Sequence, residues 1–153
     1  MEQTLPLRQK VLWPDLSLAQ LMLPEDSNGI HLGAFIPQQR EHVAVISLFI
    51  EPLPIDNKSH HCLDNVSPAS NDADLQIQPG VMVRFRKFAC EPDYQGYGIG
   101  TRLLRYALSI ARDELHGSIL WCDARVTAVD WYTRRGMSVT GRSFYKGPVE
   151  YVA

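Results

Sequence analysis

The sequence predicts an α/β domain whose sheet mixes parallel and antiparallel pairs. Three observations predict it. Two short β-rich runs, "GIHLGAFIP" and "EHVAVISLFIE", follow one another across a brief "PQQR" link and read as a hairpin. From Val81 onward, strand-like and helix-like segments alternate. One of those segments, after Gly100, carries a wide apolar stripe at helical spacing. A chain of 153 residues is long enough for one domain with a real core.

In chain order, "TLPLRQKVLW" reads as a short helix. Thr4 is its candidate cap, Leu5, Arg8, Val11 and Leu12 lie near helical spacing, and Pro14 ends it. "DLSLAQLML" reads as a second short helix capped by Asp15 or Ser17. The hairpin follows. From Pro52 to about Pro79 the pattern dissolves into Pro, Asn, Asp and Ser, which reads as a long inserted loop at about 52–79, with a distorted strand around Leu75–Ile77 as the other reading. "VMVRFRKFAC" is a long strand, with Arg84 and Arg86 expected on one face and Lys87 on the other.

A helix then runs to about His116. Leu103, Leu104, Ala107, Leu108, Ala111 and Leu115 form its apolar stripe, and Arg102, Arg105, Ser109 and Arg112 its polar one. "SILWCDA" reads as a buried strand and "VTAVDWYTRR" as a helix closed by Gly136. "MSVTGRSFYKG" and "VEYVA" read as further strands.

Composition narrows the function. A formal net charge of −2 gives no global nucleic-acid signature. Cys62, Cys90 and Cys122 are too few and too widely spaced for a disulfide framework. The start, "MEQTLPLRQK", has no apolar signal core, and no run reaches the roughly 18 apolar residues of a membrane span. The expectation is a cytoplasmic protein with neither a membrane nor a nucleic-acid partner. His60, His61 and Cys62 sit together, but no second ligand cluster accompanies them, so a solvated loop is expected and no metal.

The informative stretch is "CEPDYQGYGIGTRLLRYAL". Glycines lie between a strand and a helix start. A helix start leaves backbone N–H groups unpaired and carries partial positive charge, so it suits a phosphate. Glycine lets a ligand approach the backbone closely. A tight turn with close packing is the other reading of the same residues. The P-loop pattern fails because no lysine follows Gly100, and the dinucleotide pattern fails because the spacing is GxGxG.

The spacing that fits is Q-x-x-G-x-G, formed by Gln95, Gly98 and Gly100. Here the chain resembles the GCN5-related N-acetyltransferase (GNAT) superfamily. "LWCDARVTAVDWYTRRGM" resembles the family's later strand and helix through Ala124, Arg125, Ala128, Trp131, Tyr132, Gly136 and Met137. "LPLRQKVLWP" is similar to the first helix of one subgroup, although most members place a strand before it. The resemblance implies the GNAT (acyl-CoA N-acyltransferase) fold, with a mixed, mostly antiparallel central sheet flanked by helices, over a single domain spanning residues 1–153.

It also implies acetyl-CoA as co-substrate, with direct transfer to a primary amine of a small-molecule acceptor. Gln95, Gly96, Tyr97, Gly98, Ile99, Gly100 and Thr101 would hold the pyrophosphate. Phe88, Ala89 and Cys90 would offer backbone groups to the pantetheine arm, beside a strand near Leu120–Asp123 that splays away. Arg125 is a further cofactor contact. Tyr132 matches the place where many members keep a tyrosine to protonate the leaving thiolate. A tyrosine near its ordinary pKa of about 10 can donate at neutral pH. The attacking amine must first lose a proton, to Glu51, to His31 or through a water chain, although a surface or packing role is the favoured account of both residues and a water chain needs neither. Arg84 and Arg86 read either as an anion-binding acceptor wall or as partners of nearby carboxylates. A CoA-binding module without catalysis is the competing class, and the family admits a homodimer.

Overall fold

The computed structural model describes residues 1–37, 39–54 and 80–153. The inserted loop and its alternative strand around Leu75–Ile77 therefore lie outside the described residues, as do His60, His61 and Cys62.

No strand precedes the first helix among the described residues. Glu2–Thr4 is a 3₁₀ turn that runs into α1 (Leu5–Leu12). Thr4 does not cap it with its side chain; its hydroxyl turns back and donates to the Met1 carbonyl at 2.7 Å. α2 (Leu18–Leu21) starts after Ser17, whose backbone N–H donates to Gln20 Oε1 at 2.9 Å. This is the back-reaching half of a capping box. A second 3₁₀ turn, Pro24–Asn28, leads into the sheet.

The expected hairpin is present. β1 (Ile30–Ala34) and β2 (Ala44–Ile50) pair antiparallel, and β2 pairs antiparallel with β3 (Val81–Cys90). α3 (Ile99–Asp113) crosses over to β4 (Gly117–Trp121), which runs parallel to β3. The first sheet thus has the order β1-β2-β3-β4, with one parallel pair among antiparallel ones.

A second sheet completes the chain. β5 (Ala124–Arg125) is followed by α4 (Val129–Thr133), β6 (Phe144–Lys146) and β7 (Val149–Val152), in the order β5-β7-β6. The long strand expected over "MSVTGRSFYKG" shrinks to Phe144–Lys146. Gly136 adopts a φ of 88° beyond α4, the left-handed terminator expected of it.

The core sits between the sheet and α3. Ala44, Ile46, Leu48, Val83 and Phe85 face Leu103, Leu104, Ala107, Ile110 and Ala111. Ile110 is buried there, whereas Leu108 of the expected stripe is exposed. The opposite face of β2 and β3 meets α1 through Val45, Ala89 and Leu7.

β3 is not a regular strand. Its register with β2 slips between Val45↔Ala89 and Ser47↔Arg86, so Lys87 and Phe88 together oppose Ile46. This is a β-bulge. Lys87 carries it at a φ of 55°, a left-handed conformation that costs a non-glycine residue roughly 1–2 kcal/mol. The extra residue reverses the expected alternation. Phe85 and Phe88, three apart, both pack toward the α3 core. Lys87 lies on the same side as Arg84 and Arg86, not opposite them. Its ammonium reaches Asp26, while Arg86 reaches the neighbouring Glu25.

Candidate active site

β3 and β4 stay paired only as far as Arg84↔Trp121. β3 continues to Cys90, while the other chain turns away and resumes as β5 against β7. The sheet therefore opens into a cleft of about 600 Å³, lined by Phe85 to Cys90 on one wall and by Cys122 to Arg125 on the other. Arg86, Ala89 and Glu91 turn their backbone groups toward β2, as the Glu91 N–H donating to Val43 O at 2.8 Å attests. By the two-residue alternation of a strand, Phe85 and Cys90 turn theirs toward the cleft.

The glycine loop stands at one mouth of this cleft. Gly96 and Gly98 have φ of 83° and 80°, with open space where a Cβ would sit, so their conformation is what demands glycine. Gly100 differs. A Cβ there would meet the Phe88 ring at 3.4 Å and Trp131 at 3.8 Å, ordinary contact distances, so neither backbone conformation nor packing within the protein demands glycine at this position. The sharp turn is thus realised at Gly96 and Gly98. Among the described residues, none of the backbone N–H groups from Gly96 to Thr101 meets an intramolecular acceptor. These donors, at the start of a 15-residue helix, suit a pyrophosphate.

The other candidates are placed as follows. Gln95 donates from Nε2 to the Cys90 carbonyl at 3.0 Å, tying the loop to the end of β3. Tyr97 is exposed. Thr101 accepts from Arg135 Nε and Nη2 at 2.9 and 2.8 Å. Arg135 also stacks on Trp131 at 3.6 Å, so it fastens the end of α4 to the first turn of α3. Arg125 lies exposed on β5, before the turn into α4, and not within the helix.

Tyr132 reaches the cleft from α4. Its ring lies 5.8 Å from Phe85, 6.5 Å from Phe88 and 5.1 Å from Trp131. Burial, helped by neighbouring Cys122, pushes its phenol above the ordinary range, so it holds its proton at neutral pH. Burial also pushes the Cys122 thiol up to about 12, with Asp123 adding to the effect. Cys90 is raised by burial and then by Glu91. Neither thiol has the depressed pKa of an acyl-carrying nucleophile.

The two candidate bases are occupied. His31 Nδ1 contacts Arg8 Nη2 at 2.9 Å and Ser47 Oγ at 2.8 Å, and Nε2 meets the Asp26 carbonyl at 2.7 Å. Burial lowers its pKa, with Arg8 adding to the effect and the Asp26 carbonyl opposing it. Glu51 receives Arg84 on one oxygen at 2.6 Å and Arg86 on the other. Arg84 also pairs with Asp123, which in turn holds Lys146. Arg84 and Arg86 are therefore carboxylate-paired, the plainer of their two readings. Each lies over an aromatic ring, Arg84 over Trp121 at 4.5 Å and Arg86 over Phe49 at 5.4 Å.

An α/β sheet split between parallel strands, with a free-amide loop at the mouth of the resulting cleft, defines the class of fold. Residues 66–137 match the family model of the acetyltransferase (GNAT) domain. The resemblance to the GNAT superfamily is thereby borne out, and the fold is that of the acyl-CoA N-acyltransferases.

Solved structures agree. A Trypanosoma brucei acetyltransferase is 16% identical, with a TM-score of 0.64 over 94% of this chain and 89% of its own. An acyl-CoA N-acyltransferase from Pseudomonas aeruginosa is 16% identical, with a TM-score of 0.60 over 98% and 85%. An aminoglycoside 6'-N-acetyltransferase from Acinetobacter haemolyticus is 16% identical, with a TM-score of 0.61 over 95% and 90%. No curated protein sequence matches the chain. Among the described residues no cluster of three or more metal-ligating side chains occurs, and no helix is long and apolar enough to cross a membrane.

Proposed function

We propose that the chain transfers an acetyl group from acetyl-CoA directly to a primary amine of a small-molecule acceptor. The observation that carries this reading is the row of unengaged N–H groups from Gly96 to Thr101 at the mouth of the cleft. Those amides would bind the pyrophosphate. The cleft-facing backbone of β3, around Phe88, Ala89 and Cys90, would bind the peptide-like arm as a neighbouring strand would. Arg125, exposed on the opposite wall, adds a cation for the ligand's phosphates.

The bound donor supplies an activated thioester. Of the two candidate β3 donors, Ala89 and Cys90, the Cys90 N–H is the one turned to the cleft, and it would meet negative charge developing on the carbonyl oxygen. Tyr132, protonated and half-buried in the cleft, would give its proton to the departing sulfur. His31 and Glu51 are both tied into polar networks, so water in the cleft is the better route for the amine's proton.

That engagement of both candidate bases is also what favours the second reading, a CoA-binding module without turnover. Calorimetry with CoA tests the cleft, and thiol release from acetyl-CoA over an amine panel tests the chemistry. Binding with turnover supports the enzyme, binding alone the module, and no binding of CoA or acetyl-CoA overturns both.

A further inference from the structure

Beneath the bulge of β3 lies a buried polar cluster that the acetyl-transfer chemistry does not use directly. Lys87 Nζ donates to both oxygens of Asp26, at 2.6 and 2.9 Å. Their side chains are 5% and 0% exposed, so this is an interior ion pair. Asp26 also accepts the Leu23 N–H at 3.1 Å and lies 3.6 Å from Arg8, itself fully buried. Burial opposes ionisation of Asp26, but the Lys87 and Leu23 hydrogen bonds outweigh it and hold its carboxyl below the ordinary range.

The placement matters more than the charge. Lys87 is the residue in the left-handed conformation that makes the bulge. Its neighbours Phe88, Ala89 and Cys90 form the cleft wall. Asp26 sits in the turn Pro24–Asn28, beside Leu23, which lines the same cleft, and Glu25, which reaches Arg86. One ion pair therefore joins the strand's irregular point to the turn on the α1 side.

We infer that Lys87 and Asp26 are positioning residues: their ion pair locks the bulge, and thereby sets the cleft-facing backbone of Phe88–Cys90 against the Leu23–Glu25 turn. Regular pairing would place one residue opposite Ile46, turn Phe88 away from the α3 core and shift the amides that face the ligand. Neither lysine nor its neighbours have an intrinsic preference for the left-handed region, so the side-chain anchor is what selects it. Arg8, with Ser47 and His31 at its guanidinium, holds Asp26 from the other side.

The kinetic arm of the test rests on the proposed acetyl transfer; the structural arm does not. Lys87→Met deprives Asp26 of two hydrogen bonds and costs stability, so it is paired with the triple variant Lys87→Met/Asp26→Asn/Arg8→Met, which removes all three buried charges and strands none of them. Amide hydrogen exchange is read in the unliganded protein at Arg86 and Ala89, which flank the bulge, with Arg84 as the internal reference. Exchange at the flanking amides should accelerate at least tenfold in both variants while Arg84 changes little. In the kinetic arm kcat should fall at least tenfold in both, with the CoA dissociation constant within threefold of wild type. The triple variant should regain thermal stability without regaining kcat. Unchanged exchange at the bulge, or a kcat that returns with stability in the triple variant, overturns the inference. If the wild-type protein acetylates no amine, the proposed function falls, and the exchange result alone decides the role of the ion pair.

Discussion

Replacing Tyr132 with Phe isolates one atom. The ring is enclosed by Phe85, Phe88 and Trp131 at 5.1–6.5 Å, and phenylalanine keeps all of that packing. Truncation to alanine would instead cost about 3–5 kcal/mol and confuse folding with chemistry. Among the described residues the Tyr132 hydroxyl has no hydrogen-bond partner, so its removal forfeits none of the roughly 0.5–1.5 kcal/mol that such a bond contributes. The melting temperature should therefore stay within about 2 °C, since 1 kcal/mol moves a chain of this size by about 2–4 °C. A positioned acid contributes about 10²–10⁴ in rate. The lower bound, a hundredfold, corresponds to about 2.7 kcal/mol of barrier. Thiol release at saturating acetyl-CoA and amine should thus fall about a hundredfold or more, while CoA affinity by calorimetry stays within twofold. Because burial raises the phenol's pKa, this group should impose no alkaline loss of rate below about pH 10. A variant retaining a third or more of wild-type kcat would refute the proton-donor role.

Three further outcomes follow from the geometry. Gly98→Ala places a side chain at a φ of 80°, a strain of roughly 1–2 kcal/mol, and should lower the melting temperature by about 2–8 °C; Gly100→Ala, whose Cβ meets only ring atoms at 3.4 and 3.8 Å, should shift it by less than about 2 °C, and equal shifts in a thermal melt would contradict this account. His31 has a lowered folded pKa, so its contribution to stability is present above its ordinary value of 6.5 and is lost as pH falls through the folded value; denaturant midpoints should drop over that acid range, and His31→Gln should flatten the drop. Glu51→Gln should leave the shape of the pH–rate profile unchanged, because both carboxylate oxygens serve Arg84 and Arg86; disappearance of the acidic limb would make Glu51 the base after all.

Most of the framework was legible in the chain because it rests on periodicity and glycine placement. The hairpin, the long β3, the crossover helix and the free-amide loop all follow from local signals. The bulge was harder. Lysine gives no hint of a left-handed residue, and strict alternation over "RFRKF" places Lys87 on the wrong face. The trace that existed was the spacing of Phe85 and Phe88, two aromatic residues three apart, where the faces of a regular strand alternate every two. The buried network was invisible for a different reason. Asp26 and Lys87 are 61 residues apart, and each alone reads as a solvent-facing charge. Likewise the partners of Arg84, namely Glu51 and Asp123, come from different elements. Only tertiary structure could decide between an anion-binding wall and a paired one. Residues 137–143 form no strand because β7 is only four residues long and, on that edge, offers ladder partners to Phe144–Lys146 alone.

The parting of β3 from its neighbour after Arg84 has a consequence for the empty protein. A strand that loses its partner midway presents bare main-chain donors and acceptors, the same template that drives sheets of different molecules to join. Here that exposed seam is recessed, flanked by charged side chains such as Arg125 and Lys146, and too short to seat a long foreign strand. The gap is thereby left open to a slender ligand such as the one proposed for it, whose arm would complete the torn sheet from within.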